Sequence, residues 1–155
     1  MELSKNSRKV QAFLNDFGLE IKVLELTEST RTAQEAAIAA ECEVGQIVKS
    51  LVFRNGEEAL MFLVSGKNQL DVKKVKDLIG KEITKADADF VKKKTGFVIG
   101  GVPPVGFSSP IDTFIDEDLM KYEDVWAAAG TPHAIFQIKS NDLPRLTGGK
   151  VIAIC

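Results

Sequence analysis

The dipeptide Asn55-Gly56 constrains the fold of this chain more than any other short feature. It stands between two mostly apolar runs, Lys49 to Arg54 and Glu57 to Ser65. Asparagine and glycine tolerate the positive φ angles that a tight hairpin turn requires, so this pattern is the strongest local signal for a hairpin. Two antiparallel strands, 49–54 and 57–65, are therefore expected in the middle of the chain.

Helices and further strands alternate on both sides of the hairpin. The first helix is predicted over 4–17, where Val10, Phe13 and Leu14 follow helical spacing, and a capping pattern from Thr32 to Glu35 opens a second. Further helices are predicted at 71–79, 87–94, 117–122 and 141–146, and further strands at 20–26, 97–99, 111–115, 125–128, 134–138 and 151–154. Strands joined both by a hairpin and through helices predict one α+β domain over residues 1–155, with a mixed, mostly antiparallel sheet and packed helices.

Composition argues against several classes of protein. No apolar run reaches the roughly 18 residues that a membrane helix needs, and the charged, amphipathic N-terminus lacks the apolar core of a signal peptide. Two distant cysteines, Cys42 and Cys155, indicate reduced thiols, and a single histidine without paired cysteines argues against a zinc site. We therefore expect a cytoplasmic protein without metal or cofactor, and with neither a membrane nor DNA as partner.

Charge is unevenly distributed although the net charge is only −2. Lysines outnumber acids between Lys67 and Lys94, whereas acids dominate between Asp112 and Asp124. The basic segment is either a pair of solvated helix faces or an electrostatic footprint for phosphates. If it binds RNA, the candidate backbone contacts are Lys73, Lys74 and Lys76.

A loop made mostly of backbone, TGFVIGGVPPVGFSSP, extends from Thr95 to Pro110. It matches neither the dinucleotide fingerprint nor the P-loop, because Pro103 and Pro104 prevent the helix into which both motifs open. Its glycines allow close approach of a ligand and expose N–H groups that could hold a carbonyl oxygen or a developing oxyanion. The alternative is a tight connection that binds nothing.

Four blocks of the chain together resemble a known family. They are this loop, IVKSLVF from Ile47, LVSGKNQLDVKKV from Leu63 and AAGTPHAIFQI from Ala128. In order and spacing they are similar to the YbaK and prolyl-tRNA synthetase editing-domain family over nearly the whole chain. Because no synthetase catalytic domain accompanies these blocks, the resemblance is to the free-standing members, which edit in trans.

The resemblance implies a hydrolase that removes a wrong, small amino acid such as cysteine, alanine or serine from the 3′ CCA end of tRNA, chiefly tRNA for proline. An aminoacyl ester is already activated, so positioning and backbone donors can suffice for its hydrolysis. In this interpretation Lys49 contacts the terminal phosphate or bonds near the ester. Leu24 stands where cysteine-specific members carry tyrosine, which counts against cysteine. The implied catalytic residues are Lys49, Gly100 and Gly101, and the implied substrate-binding residues are Thr32, Ser50, Val102, Pro104, Gly130 and His133.

Two functions of other classes fit the same residues. The pocket could hold an aminoacyl adenosine or an uncharged tRNA as a regulator without turnover. Alternatively, the acidic segment from Asp112 to Asp124 could dock on a prolyl-tRNA synthetase. Lys49 favours the enzyme, because its loss would be the simplest sign of a retired site.

Overall fold

The predicted hairpin lies at the centre of one sheet. The computed structural model describes residues 3–155. Strand β2 (Ile47–Asn55) pairs antiparallel with β3 (Glu58–Ser65) from Val48 onward, and Asn55 lies opposite Glu58. Gly56 turns the chain with a φ of 59°, a value that glycine adopts without strain.

The remaining strands flank this hairpin on both sides. They are β1 (Leu24–Glu25), β4 (Thr84–Lys85), β5 (Asp112–Asp116), β6 (Asp124–Ala128), β7 (Ala134–Lys139) and β8 (Lys150–Ile152). The strand order is β1-β7-β6-β2-β3-β5-β8, and β4 also pairs with β2. Antiparallel pairing joins β1 to β7, β6 to β7, and β2 to both β3 and β4, whereas β2–β6, β3–β5 and β5–β8 are parallel. The predicted α+β fold with a mixed, mostly antiparallel sheet is therefore confirmed.

Five α-helices within residues 3–155 pack on the sheet. Each of the first four begins at a side chain that accepts a hydrogen bond from the first turn: Ser4, Thr32, Asp71 and Asp87. None of the described helices is long and apolar enough to cross a membrane. The helices are α1 (Lys5–Asp16), α2 (Ala33–Ala40), α3 (Val72–Ile79), α4 (Ala88–Thr95) and α5 (Leu143–Thr147).

Both faces of β2 are covered, by different clusters of side chains. Val48 and Val52 face the larger cluster, which contains Phe97 and Val102. Leu51 and Phe53 face a second cluster under α3. Side chains alternate between faces along a strand, so neighbouring residues of β2 belong to different layers.

Two predicted strands differ from the structure. Residues 97–99 form a turn instead of a strand: the Phe97 amide donates to the Thr95 hydroxyl at 3.0 Å, and Phe97 alone is buried while Val98 and Ile99 are exposed. The strand predicted at 20–26 is reduced to β1, because the Gln11 side chain bonds the backbone of residues 21 and 23 at 2.7 and 2.8 Å.

Candidate functional site

The sheet has a gap along one edge of β2. On the edge that faces away from β3, β2 pairs with β6 only at Ile47 and Val48, and with β4 only at Phe53 and Arg54. Within residues 3–155, no strand pairs with positions 49–52 there. Because the Ile47 carbonyl accepts from Gly66 beyond the end of β3, the backbone groups of the alternate residues 50 and 52 are directed into the gap.

A cleft with two lobes occupies this gap. The charged lobe has a volume of about 490 Å³, and the residues that line this lobe alone include Gln69, Leu70 and Lys85. The apolar lobe has a volume of about 300 Å³, and the residues that line it alone include Thr30 and Trp126. Backbone and side chains of the hairpin and of the glycine-proline loop thus meet in one cavity. Six residues line both lobes: Lys49, Ser50, Leu51, Ile99, Gly100 and Val102.

Lys49 is held at the cleft by the turn that follows β3. Its ammonium group donates to the backbone carbonyl of Asn68. Burial lowers the pKa of Lys49, and the negative charge of the Asp116 carboxylate opposes that shift. The predicted lysine is therefore a fixed, partly desolvated cation.

The buried carboxylate of Asp116 organises that turn. One of its oxygens accepts from the Ser65 amide at 3.0 Å and from the Asn68 side-chain amide at 2.8 Å. Its other oxygen accepts from the Asp118 amide at 2.9 Å, and the Asp118 carboxylate also accepts from the Asn68 side chain, at 2.8 Å. The chain from Asp116 through Asn68 to Lys49 was not predicted, because residues distant in sequence form it.

The two loop glycines have different roles. Gly100 lines the cleft with a φ of 93°, and a Cβ atom there would lie 2.8 Å from Cγ of Arg31. Its amide has no hydrogen-bond acceptor within the described residues. Gly101 instead donates to the Val98 carbonyl and accepts from the Gly130 amide, each at 3.0 Å, so its backbone is committed to holding the loop.

Two hydroxyl groups in the cleft are buried and unpaired. Oγ of Ser50 and Oγ1 of Thr30 find no hydrogen-bond partner among residues 3–155, and both side chains line the apolar lobe. Buried polar groups are nearly always bonded, so such a pair calls for an explanation. Thr32 lines the same lobe, but its hydroxyl caps α2 and donates to Glu35 at 3.0 Å.

The turn between β6 and β7 supports both walls of the cleft without lining either lobe. Thr131 packs against Gly101, whose added Cβ atom would lie 2.7 Å from the Thr131 backbone. Nδ1 of His133 lies 3.0 Å from the Glu28 carbonyl, and the Thr30 amide donates to Pro132 at 2.7 Å. Thus His133 braces the segment that carries Thr30.

The remaining predicted residues lie around the cleft instead of lining it. Gly130, with a φ of 97°, packs against the backbone of Asn6, and Pro104 lines a separate hollow beside Phe13. On α3, Lys76 pairs with Glu82 at 2.8 Å, Lys74 donates to the Cys155 carbonyl, and Lys73 makes no ion pair among residues 3–155. The cations that line the cleft are Lys49, Lys85 and Arg31.

Comparison with known proteins identifies the family. The model of the aminoacyl-tRNA editing domain matches residues 27–146. The chain belongs to this family. A crystal structure described as a "putative trans-editing enzyme for prolyl tRNA synthetase" superposes with a TM-score of 0.94 at 50% identity, over 99% of this chain and 98% of the other.

Two relatives of the editing domain connect it with tRNA in different contexts. The "putative Cys-tRNA(Pro)/Cys-tRNA(Cys) deacylase EbsC" of Enterococcus faecalis is 25% identical over 83% of this chain and 79% of its own length. The proline–tRNA ligase of Kosmotoga olearia is 36% identical over 63% of this chain, but the match spans only 17% of the ligase. The same domain therefore occurs within a synthetase and apart from one.

In this editing domain, neither Ser50 nor either cysteine is placed as an activated nucleophile, and neither cysteine lines the cleft. Ser50 has no hydrogen-bond partner, so no base is placed to take its proton. Burial raises the pKa of the Cys42 thiol, and burial together with Asp116 raises the pKa of Cys155 to about 12. Both cysteines are therefore thiols at neutral pH and poor nucleophiles.

Proposed function

We propose that this protein hydrolyses the ester of mischarged tRNA in trans, acting on tRNA for proline that carries a small noncognate amino acid. The observation that carries the proposal is the group of unsatisfied polar atoms in one cleft: the Gly100 amide and the Ser50 and Thr30 hydroxyls, beside the fixed cation of Lys49. Unpaired buried donors and acceptors are costly unless a ligand satisfies them. The names of the relatives support tRNA for proline as the carrier.

The two lobes suit the two parts of an aminoacyl nucleotide. The charged lobe offers Lys49, Lys85 and the Gln69 amide, groups that bind phosphate and ribose oxygens. The apolar lobe, of about 300 Å³, lies at the lower limit of ligand pockets and is smaller than the charged lobe, so we assign the amino acid to it. The ester then lies at the junction of the lobes, where Gly100 and Lys49 line both.

In the proposed reaction, a water molecule attacks the ester carbonyl and loses a proton. A hydroxyl group of the substrate is the alternative attacking group, in which case water must still cleave the new ester that this attack forms. The carbonyl oxygen becomes an oxyanion that accepts from the Gly100 amide, and the bond to the ribose oxygen breaks as that oxygen takes a proton. With water as nucleophile, the products are the free amino acid and a tRNA with its 3′-terminal hydroxyl restored. Lys49 supplies charge at the substrate end, and backbone donors directed at developing charge are typically the largest catalytic contribution.

The direct test is a deacylation panel with the purified protein. Proline tRNA charged separately with alanine, serine, cysteine and proline is incubated with excess protein, with and without a chelator. The proposal predicts release of at least one small noncognate amino acid, retention of proline, and no effect of the chelator. Binding of every tRNA without hydrolysis would replace the proposal with the non-catalytic regulator.

A further inference from the structure

We infer that the apolar lobe selects an amino acid with a hydroxyl group on its side chain, serine above all, and that Thr30 and Ser50 are the residues that recognise it. This inference rests on the proposed function and deepens it. Within residues 3–155, these two hydroxyls are the buried side-chain polar atoms without a hydrogen-bond partner, and both residues line the same lobe.

The scaffold holds the backbone of both residues in place. Ser50 follows Lys49 on β2, which pairs with β3 from Val48 to Asn55 on its other edge. Thr30 is fixed by its own amide, which donates to the Pro132 carbonyl at 2.7 Å, and its segment is held by His133 through Glu28. Because neither hydroxyl oxygen is exposed to the lobe, each side chain must rotate about χ1 to meet a ligand, while the backbone that carries it stays in place.

The surroundings leave the side chain of the amino acid as the partner for these hydroxyls. Apart from Arg31, Thr32 and Lys49, the walls of the lobe are mostly apolar and include Ala33, Ala36 and Trp126. The Thr32 hydroxyl is already bonded to Glu35, and the Lys49 ammonium group to the Asn68 carbonyl. The α-ammonium group of every aminoacyl ester needs acceptors too, and the backbone carbonyls of residues 50 and 52 are directed at the open edge of β2. The ammonium group can therefore be bound at the strand edge, and the hydroxyls remain for the side chain.

The energetic consequence is discrimination between serine and alanine. A serine hydroxyl can both donate and accept, so it satisfies both orphan groups. Alanine leaves them unpaired in a desolvated lobe, and sites built to bond a substrate hydroxyl reject the analogue that lacks it. We expect kcat/KM for proline tRNA charged with serine to exceed that for proline tRNA charged with alanine by more than about tenfold. One added hydrogen bond and one buried polar group that gains a partner correspond to roughly that factor.

The experiment measures this ratio in the wild type and in variants. Ser50→Ala and Thr30→Val should each lower the ratio about tenfold, and Thr30→Ser, which keeps a hydroxyl, should restore most of it. The matched control is Thr113→Val, because the Thr113 hydroxyl bonds the Ile111 carbonyl at 3.1 Å outside the cleft. Equal losses on both substrates would show that the hydroxyls bind the shared ammonium group, and would overturn the inference, as would a wild type that prefers alanine.

A binding measurement separates this inference from the proposed function. Non-hydrolysable seryl and alanyl amides of 3′-amino-3′-deoxyadenosine are titrated into the full chain by calorimetry. Tighter binding of the seryl compound, lost in Ser50→Ala, supports the inference even if no tRNA is hydrolysed, in which case only the proposed catalysis fails. Equal affinities would refute the inference whatever the deacylation panel shows.

Discussion

Removing the Asp116 carboxylate should both destabilise the protein and disturb Lys49. In Asp116→Ala, three N–H donors at 2.8–3.0 Å lose a charged acceptor inside the protein. Hydrogen bonds to charged groups each contribute about 1.5–3 kcal/mol, and the three are not additive. We therefore expect the free energy of unfolding to fall by about 3–5 kcal/mol, a large share of the 5–15 kcal/mol typical of a domain. Urea denaturation monitored by circular dichroism measures it.

The milder variant Asp116→Asn tests the link to Lys49. The Asp116 charge opposes the burial that lowers the pKa of Lys49, so its removal should lower that pKa further. If deacylation needs protonated Lys49, its rate falls as pH rises through this pKa, and the alkaline limb of the single-turnover profile should move to lower pH. The uncatalysed hydrolysis of the ester is subtracted at each pH.

The control for this shift is Asp118→Asn. The Asp118 carboxylate also accepts from the Asn68 side chain, but it is partly exposed and paired with Lys121 at 2.8 Å. Its removal should leave the alkaline limb in place. An Asp116→Asn protein that folds with an unmoved limb, or an Asp116→Ala protein that loses less than about 1 kcal/mol, would refute the reasoning.

Three further predictions concern the loop and the cations. Lys49→Ala should fold normally and lose most single-turnover deacylation; near wild-type turnover in a well-folded variant would remove Lys49 from the site. Gly100→Ala should lower the deacylation rate roughly 100- to 1,000-fold with a small loss of thermal stability, because it strains a positive φ and displaces an oxyanion donor. Gly101→Ala should chiefly lower the melting temperature, since its methyl group meets the Thr131 backbone at 2.7 Å. Equal rates and melting temperatures for the two glycine variants would contradict this division. The double variant Lys73→Ala, Lys74→Ala should flatten the salt dependence of tRNA affinity by about one counterion for each phosphate that it no longer neutralises. An unchanged slope would show that these lysines of α3 face solvent and do not contact tRNA.

Local signals in the sequence predicted most of the elements. The Asn55-Gly56 turn and the capping residues Thr32, Asp71 and Asp87 act within four positions, so the sequence alone displays them. Residues 97–99 were predicted wrongly because an apolar triplet has no period, and a strand cannot be told from a buried turn without knowing its partners.

The site was predicted in part, and the rest depends on contacts between distant segments. Lys49 and Gly100, which the family resemblance implied to be catalytic, both line the cleft, and their catalytic roles stay predictions. Thr30 was missed because nothing in its neighbourhood distinguishes a buried orphan hydroxyl from an ordinary loop threonine. Asp116 was counted only within an acidic segment, yet it is buried beneath the turn that holds Lys49 and cannot belong to a docking face.

The gap in the sheet explains how such a site can exist on β2 at all. Successive side chains of a strand point to opposite faces, so in a fully paired strand Lys49 and Ser50 would open into different layers. Both line the same cleft here because β6 leaves β2 after Val48 and β4 joins it only at Phe53. The open stretch brings a cation from one face, a hydroxyl from the other and unpaired backbone groups from the edge to one point. We expect a ligand bound there to satisfy the edge as a short strand would.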